Sequence, residues 1–168
     1  ALDIPSTGGE LKALLNKINS SGETGLILSA NAAGALNVLG KIQVQVAGVQ
    51  PLIDAYQGKG KLTHPDLMRS ADVFGEYAPL IDPVSTGLSS ADAQSMFGSG
   101  EAAIYAAHTG HGVGIQEAAN VAGTNWNVFD RVDFVEDPKN PYSITFGGLW
   151  ATPQGNRHLE ETYQVLAY

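Results

Sequence analysis

Cysteine is absent from this 168-residue sequence, which excludes disulfides, thiolate nucleophiles and sulfur-ligated zinc. Basic residues are few: nine Lys and Arg stand against 17 Asp and Glu, and the formal charge of −8 repels a nucleic-acid backbone. No apolar run approaches the ~20 residues that a helix needs to cross a bilayer. A Gly-x-Ser-x-Gly elbow is missing, and we find no other catalytic constellation. The sequence therefore predicts no enzyme, no nucleic-acid partner and no cofactor.

Apolar residues make up 43% of the chain, which is enough for one core at a length where folding buries about 70% of the unfolded surface. The chain begins with a local helix signal. Thr7 and Glu10 have the spacing of a capping box, which predicts a helix start. An apolar stripe at helical spacing follows: Leu11, Leu14, Leu15 and Ile18. A short strand is predicted next, over residues 25–29.

Residues 34–49 carry an apolar stripe that favours a helix ended by Pro51, although the alternation of Ile42, Val44 and Val46 leaves a strand open. The remaining predicted elements are, in chain order, helices over 65–78 and 90–97, a strand over 102–107, a Gly-broken helix over 113–121, strands near 126–135 and 143–146, and a last helix with Leu159, Tyr163 and Leu166. Alternating helices and short strands predict an α/β fold, with helices layered on a short mixed β-sheet. The Pro-rich loop 136–142 is the predicted boundary between substructures.

Five short segments stand in a fixed order along the chain: Pro5 to Leu11 (PSTGGEL), Gly58 to Pro65 (GKGKLTHP), Phe97 to Ile104 (FGSGEAAI), Gly147-Gly148, and the helix from Asn156. In order and spacing they resemble the P-x-T-W-x-E-L, G-K-x-x-F-x-D-P and F-x-x-G-K-A-A-M segments, the Gly-Gly strand and the late helix of the family 1 extracellular solute-binding proteins that serve ABC sugar importers. The resemblance covers nearly the whole chain.

The resemblance implies the second, C-terminal lobe of a periplasmic-binding-protein-like (type II) fold, whose two α/β lobes close over a sugar. Residues 1–138 would form the second-lobe-like α/β domain, and residues 139–168 a returning strand and helix that in the family cross toward the first lobe. The implied function is sugar binding without catalysis, followed by delivery to an ABC permease. The implied location is periplasmic or extracellular, with any export signal or lipid anchor in a segment absent from this chain.

Two aromatic residues of the family are replaced in this sequence. Gly8 stands for the Trp of the first segment, and Gly110 for the Trp of a Gly-x-Trp turn whose Gly is His108. Since sugar sites combine stacking aromatic faces with a few polar groups, imidazoles and a more distant Trp are the expected substitutes, and Gly110→Trp should strengthen sugar binding. The predicted ligand-binding residues, expected at a solvent-open rim of the cleft, are Asn31, His108, Thr109, His111 and Trp150.

The same residues bear on other functions. The three-residue spacing of His108 and His111 also suits the start of a metal site, but no carboxylate is adjacent and no metal is predicted. The glycines of 110–114 do not form a dinucleotide loop, because Ile115 stands where the third glycine belongs. The carboxylates of 130–137 fit a solvated face better than an acid/base pair. The alternative function is that of a structural or assembly module, in which a second copy of the chain or a partner chain covers exposed apolar surface.

Overall fold

The computed structural model describes residues 4–128 and 132–140, and the architecture is that of this part of the chain. Its helices are α1 (Gly8–Ser20), α2 (Ala32–Ala47), α3 (Gln50–Tyr56), α4 (Pro65–Tyr77), α5 (Ser90–Gly98) and α6 (Gly112–Ala122). Its strands are β1 (Thr24–Ile27) and β2 (Ala102–Tyr105). Short 3₁₀ turns lie at Ala78–Leu80, Pro83–Thr86 and Thr109–His111. The predicted α/β class is confirmed.

The two strands run parallel, with Thr24 opposite Ala102 and Ile27 opposite Tyr105. On the other side of β1, Leu26 forms an isolated parallel bridge with Ile81. The pairing in the described residues is therefore parallel throughout, where a mixed sheet was predicted. Because parallel strands end at the same edge of a sheet, the chain segments that follow β1 and β2 are brought together.

Local signals start the helices. The Thr7 hydroxyl accepts from the Glu10 backbone N–H at 3.2 Å, as the capping box predicts, but the Glu10 carboxylate turns to Ser6 and accepts from its N–H and hydroxyl. The hydrogen bonds from Ser6 lower the pKa of Glu10. At α4 the His64 imidazole caps the helix before Pro65, and at α5 Ser89 forms a complete capping box with Asp92.

Helices cover both faces of the sheet. Alternate residues of β1 and its extension point to opposite sides, so Leu26 and Leu28 join one apolar cluster while Ile27 joins another. The first cluster also holds Leu11, Leu15, Val38, Ile42, Val46, Val73, Tyr77, Leu80 and Phe134. The second holds Ala93, Ala102, Tyr105 and Ile115. This arrangement of α1, α2 and α4 against one face and α5 and α6 against the other is the layered architecture that the sequence predicts.

Several boundaries differ from the predictions. Residues 34–49 are helical as favoured, and Ile42, Val44 and Val46 are all buried because α2 packs on more than one side. Pro51 lies in the first turn of a further helix, α3, which was not predicted. The helix α6 is unbroken, since its glycines fall in the first turn.

The strand predicted near 126–135 is wrong for the residues described there, 126–128 and 132–135. Side chains take the place of a strand partner. The Phe134 N–H donates to Gln45 Oε1 at 2.7 Å, Gln45 Nε2 donates to the Val132 carbonyl at 2.9 Å, and the Tyr77 hydroxyl donates to the Phe134 carbonyl at 2.9 Å. The strand near 143–146, the last helix and Trp150 lie outside the described residues.

The predicted boundary loop is tied back to the helices at its start. The Lys139 N–H donates to the Gln45 carbonyl at 2.7 Å, and the Lys139 ammonium pairs with Asp66 at 2.8 Å. Lys139 thus anchors this loop to α2 and α4. No helix in the described ranges has the length and apolar character needed to cross a bilayer.

Candidate functional site

The predicted ligand-binding residues of the described chain gather at the carboxyl edge, by which we mean residues 28–31 after β1 and 106–111 after β2. The two segments are bound to the rest of the sheet edge by main-chain hydrogen bonds: the Ala106 N–H donates to the Ile27 carbonyl, and the Ala30 N–H to the Leu88 carbonyl. In open α/β sheets, ligands bind in the crevice outside the carboxyl ends of the strands. The carboxyl edge is therefore the candidate site.

Asn31 is the N-cap of α2. Its Oδ1 accepts from the Gly34 N–H at 2.9 Å and from the Ser29 hydroxyl at 3.2 Å, while its Nδ2 donates to the Ser90 hydroxyl at 2.8 Å. These bonds join the beginnings of α2 and α5 at the carboxyl edge. The exposed Asn31 therefore has a structural role in addition to the ligand contact that the sequence predicts.

His108 is exposed, as predicted for a rim residue. Its Nδ1 accepts from the Gly110 backbone N–H at 3.1 Å, which folds the ring over the turn. The close fit depends on glycine, because a Cβ at Gly110 would lie 2.9 Å from His108 Cε1. Gly110→Trp would therefore displace the His108 ring, and the gain in sugar binding expected from this substitution stays a prediction.

His111 is buried, with 8% of its surface exposed, so the prediction of a solvent-open side chain free of core partners is wrong for this residue. The 3₁₀ turn Thr109–His111 carries the chain back toward the sheet, and the His111 ring stacks on Tyr105 with an interplanar angle of 1°. The Tyr105 hydroxyl lies 2.8 Å from His111 Nδ1. The His108 ring centroid is 3.8 Å away.

Burial disfavours a charge on His111 and lowers its pKa, and the neighbouring His108 lowers it further. The His111 ring is therefore neutral near pH 7. Within the described residues, no group of three or more His, Asp or Glu side chains is placed to hold a metal ion. Thr109 begins the 3₁₀ turn, and Trp150 lies outside the described residues.

Sequence reasoning missed Tyr105 and Ser29, whose side chains contact His111 and Asn31, respectively, at the carboxyl edge. Burial raises the pKa of Tyr105, while a side-chain hydrogen bond with Ser29 opposes the rise. The Ser29 hydroxyl donates to Asn31 at 3.2 Å and the Tyr105 hydroxyl lies 2.8 Å from His111 Nδ1, so each strand end has a polar side-chain contact of its own. Their positions in the sequence could have indicated them, because Tyr105 is the last residue of β2 and Ser29 lies two residues after the end of β1.

Glycines occupy two places where the resemblance implies tryptophan, and the packing explains one of them. A Cβ at Gly8 would lie 2.6 Å from the Phe134 carbonyl oxygen, so this position has no room for any side chain. A different aromatic stands near the edge. Trp126, half-buried, lies 3.9 Å from where a Gly112 Cβ would be, beside the first turn of α6, and donates from Nε1 to Gln116 at 3.2 Å.

An open depression of about 310 Å³ lies at the opposite, amino edge of the sheet. Lys17, Glu23, Gly100 and Glu101 are among its lining residues. Among the described residues, its lining includes three charged side chains and no aromatic one, and it lacks the grouping of helix starts found at the carboxyl edge. The amino edge is therefore the weaker of the two locations for a sugar.

No protein-family model matches the sequence, and no curated protein matches it. Among solved structures, the fold is similar to that of a chitin oligosaccharide binding protein, with a TM-score of 0.57 and 21% sequence identity. The matched region covers 61% of this chain and 27% of that chain, so this chain spans about a quarter of the length of its structural neighbour. At this identity the likeness concerns architecture: the described part of the chain is an α/β unit of the kind found in that binding protein.

Proposed function

We propose that the chain binds carbohydrate at the carboxyl edge as a non-catalytic solute-binding lobe. The observation that carries the proposal is the grouping of Asn31, His108 and His111 where the two parallel strands end, on a fold similar to that of a chitin oligosaccharide binding protein. Polar groups converging at the carboxyl ends of parallel strands are the usual setting for a small ligand in an α/β fold.

The chemistry of the edge suits a neutral polyol. A neutral imidazole has one hydrogen-bond donor and one acceptor, and a sugar hydroxyl can both donate and accept a hydrogen bond. Trp126, beside the first turn of α6, supplies an aromatic face of the kind that packs on apolar sugar faces. Trp150, just after Gly147-Gly148, is a second candidate from the sequence. Within the described residues, burial and then His108 lower the pKa of His111, and no acidic side chain is among the causes.

The transport role comes from the resemblance to the family 1 solute-binding proteins. Under this proposal, the lobe works in ABC-transporter-mediated uptake, receives its sugar outside the cell or in the periplasm, and presents it to a permease. One lobe supplies half of a cleft, and closure around a ligand normally provides the remaining contacts. We therefore expect weak sugar binding by this chain alone.

A second function, assembly through protein contacts, is favoured by a different observation. The helix α6 and the segment after it expose large apolar side chains, with Val113 70%, Val121 92% and Val128 68% exposed. Such surface is covered in many assemblies by a second copy or a partner chain. Sedimentation of the chain over a range of concentrations distinguishes the two: a sugar-binding lobe stays monomeric, and an assembly module associates.

A thermal-shift screen against neutral mono- and oligosaccharides tests the carbohydrate function. A ligand that binds the folded state raises Tm by mass action, by an amount that grows with its concentration. We expect a concentration-dependent rise with at least one oligosaccharide, which His108→Ala should reduce. Unchanged Tm across the panel, together with stable self-association, would favour the assembly function.

A further inference from the structure

We propose that Gln116 positions the indole of Trp126 as a stacking platform at the carboxyl edge, and that this platform selects ligands containing a pyranose ring over open-chain polyols. Trp126 is the residue that touches the ligand, and Gln116 acts through it. The ligand class rests on the proposed carbohydrate function, but the position of the indole does not.

The chain turns back at the end of α6, before it reaches Trp126. Gly123 ends the helix with a φ of +70°, a left-handed conformation that favours glycine. The Thr124 N–H donates to the Ala119 carbonyl at 3.0 Å, and the Thr124 hydroxyl donates to the Gly98 carbonyl at the end of α5. Thr124 is therefore held beside the last turns of α6.

A large side chain is needed to reach from there to the first turn of α6. Gly112 lies about 10 Å from Ala119 along the helix axis. The two residues from Thr124 to Trp126 extend at most about 7 Å. The indole covers the remainder, since its Cη2 lies 3.9 Å from where a Gly112 Cβ would be. The six-membered ring of Trp126 is thus next to the residue that follows His111.

The amide of Gln116 sets the orientation of this ring. An indole N–H can only donate, so Gln116 Oε1, 3.2 Å from Trp126 Nε1, must be the acceptor. The other end of the amide, Nε2, donates to Asn120 Oδ1 at 2.8 Å. Because Nε1 belongs to the five-membered ring, that ring faces the second turn of α6. The six-membered ring is left at the first turn, toward the carboxyl edge.

The indole is half-buried and offers a ligand an apolar face. It packs against the second apolar cluster, which holds Tyr105 and Ile115, and keeps part of its surface open to solvent. Its N–H is already bonded to Gln116. Hydrogen bonds to a ligand are therefore left to exposed polar groups of the edge such as His108, while Trp126 contributes contact area.

Polyols differ in the flat apolar surface that they present. A pyranose ring groups its C–H bonds on its faces, and such a face packs on an indole. An open-chain polyol carries similar hydroxyls but has no fixed flat face. Both kinds of ligand can bond to His108, so the difference between their affinities measures the contribution of Trp126. We therefore expect the carboxyl edge to prefer pyranoses.

The experiment is an NMR titration of the full chain with a neutral chitin-derived oligosaccharide and, separately, with glucitol, an open-chain polyol. Trp126→Leu keeps apolar bulk but removes the aromatic face. It should weaken oligosaccharide binding by about tenfold and leave the shifts caused by glucitol unchanged. Equal weakening of both ligands would overturn the stacking role.

Variants of Gln116 test the positioning role, and they serve equally if Trp126→Leu does not fold. Gln116→Leu removes the acceptor and should weaken oligosaccharide binding by about threefold. Gln116→Glu keeps an acceptor oxygen and should restore the affinity. Asn120→Ala, the matched control, leaves the bond between Trp126 and Gln116 in place and should bind as the unsubstituted chain does.

The indole N–H signal reports the same contact without any ligand. The chain has two tryptophans, so its ¹H–¹⁵N spectrum holds two indole signals, and Trp126→Phe identifies that of Trp126. This signal should move, and exchange faster with solvent, in Gln116→Leu but not in Gln116→Glu. An unchanged signal in Gln116→Leu would overturn the positioning role.

The outcomes separate this inference from the carbohydrate function. If the oligosaccharide binds with the same affinity to Trp126→Leu and Gln116→Leu as to the unsubstituted chain, the function stands and this inference fails. If no sugar binds, the function fails and the selection of pyranoses fails with it, while the indole signals still decide whether Gln116 positions Trp126.

Discussion

Replacing Gln45 by alanine should detach the segment 132–134 from the core. Gln45 is fully buried, and its amide satisfies the Phe134 N–H at 2.7 Å and the Val132 carbonyl at 2.9 Å. Leaving a buried backbone group without a partner costs about 1–3 kcal/mol, so two such groups predict a loss of about 2–6 kcal/mol in the free energy of unfolding. Whole-domain stability is about 5–15 kcal/mol, so the loss is a large fraction of it.

Urea unfolding measures this loss, and Gln50→Ala is the matched control. Gln50 makes a single exposed hydrogen bond to Asp54 within α3, so its removal should change the free energy of unfolding by less than about 0.5 kcal/mol. Hydrogen exchange at the Phe134 amide should accelerate in Gln45→Ala. A loss below about 1 kcal/mol with unchanged exchange at Phe134 would refute the anchoring role of Gln45.

Three further outcomes are expected. Gly8→Ala should destabilise the chain by about 1–3 kcal/mol in urea unfolding, because the new Cβ overlaps the Phe134 carbonyl; Gly75→Ala, in open space on α4, should stabilise it by about 0.5–1 kcal/mol. Burial, and then His108, lower the pKa of His111 below 6.5, so the unfolded chain binds more protons than the folded chain as the pH falls. The free energy of unfolding should therefore decrease below pH 6.5. The variant His111→Gln should show a weaker dependence on pH. Equimolar zinc should leave Tm unchanged; a rise that His111→Ala abolishes would instead establish a metal site.

The parts of the fold that could be predicted are those specified by neighbouring residues. Caps at Thr7, His64 and Ser89 act within three residues of the chain, and each begins a helix where the sequence places it. The strand predicted over 102–107 is present, shortened to Ala102–Tyr105. Local hydrogen bonding and apolar spacing are sufficient for elements of this kind.

The parts that could not be predicted depend on distant partners. Alternating apolar residues near 126–135 indicate a strand, but the backbone of 132–134 is satisfied by Gln45, almost ninety positions earlier in the chain. The same holds at the candidate site. Glycines around His111 correctly indicate a turn, yet only the position of Tyr105 determines that the ring points inward. Neither the contacts of Gln45 with residues 132–134 nor the contact of Tyr105 with His111 can be predicted from the neighbouring sequence.

The most direct test of the proposed function is an NMR titration of the ¹⁵N-labelled full chain with neutral chitin-derived oligosaccharides. The account predicts concentration-dependent shifts confined to the carboxyl edge and its surroundings, that is, residues 28–31, 105–112 and Trp126, with weak affinity. Shifts confined to Lys17, Glu23 and Glu101 at the amino edge would place the ligand elsewhere. No shifts at any residue at millimolar oligosaccharide would contradict sugar binding at the carboxyl edge.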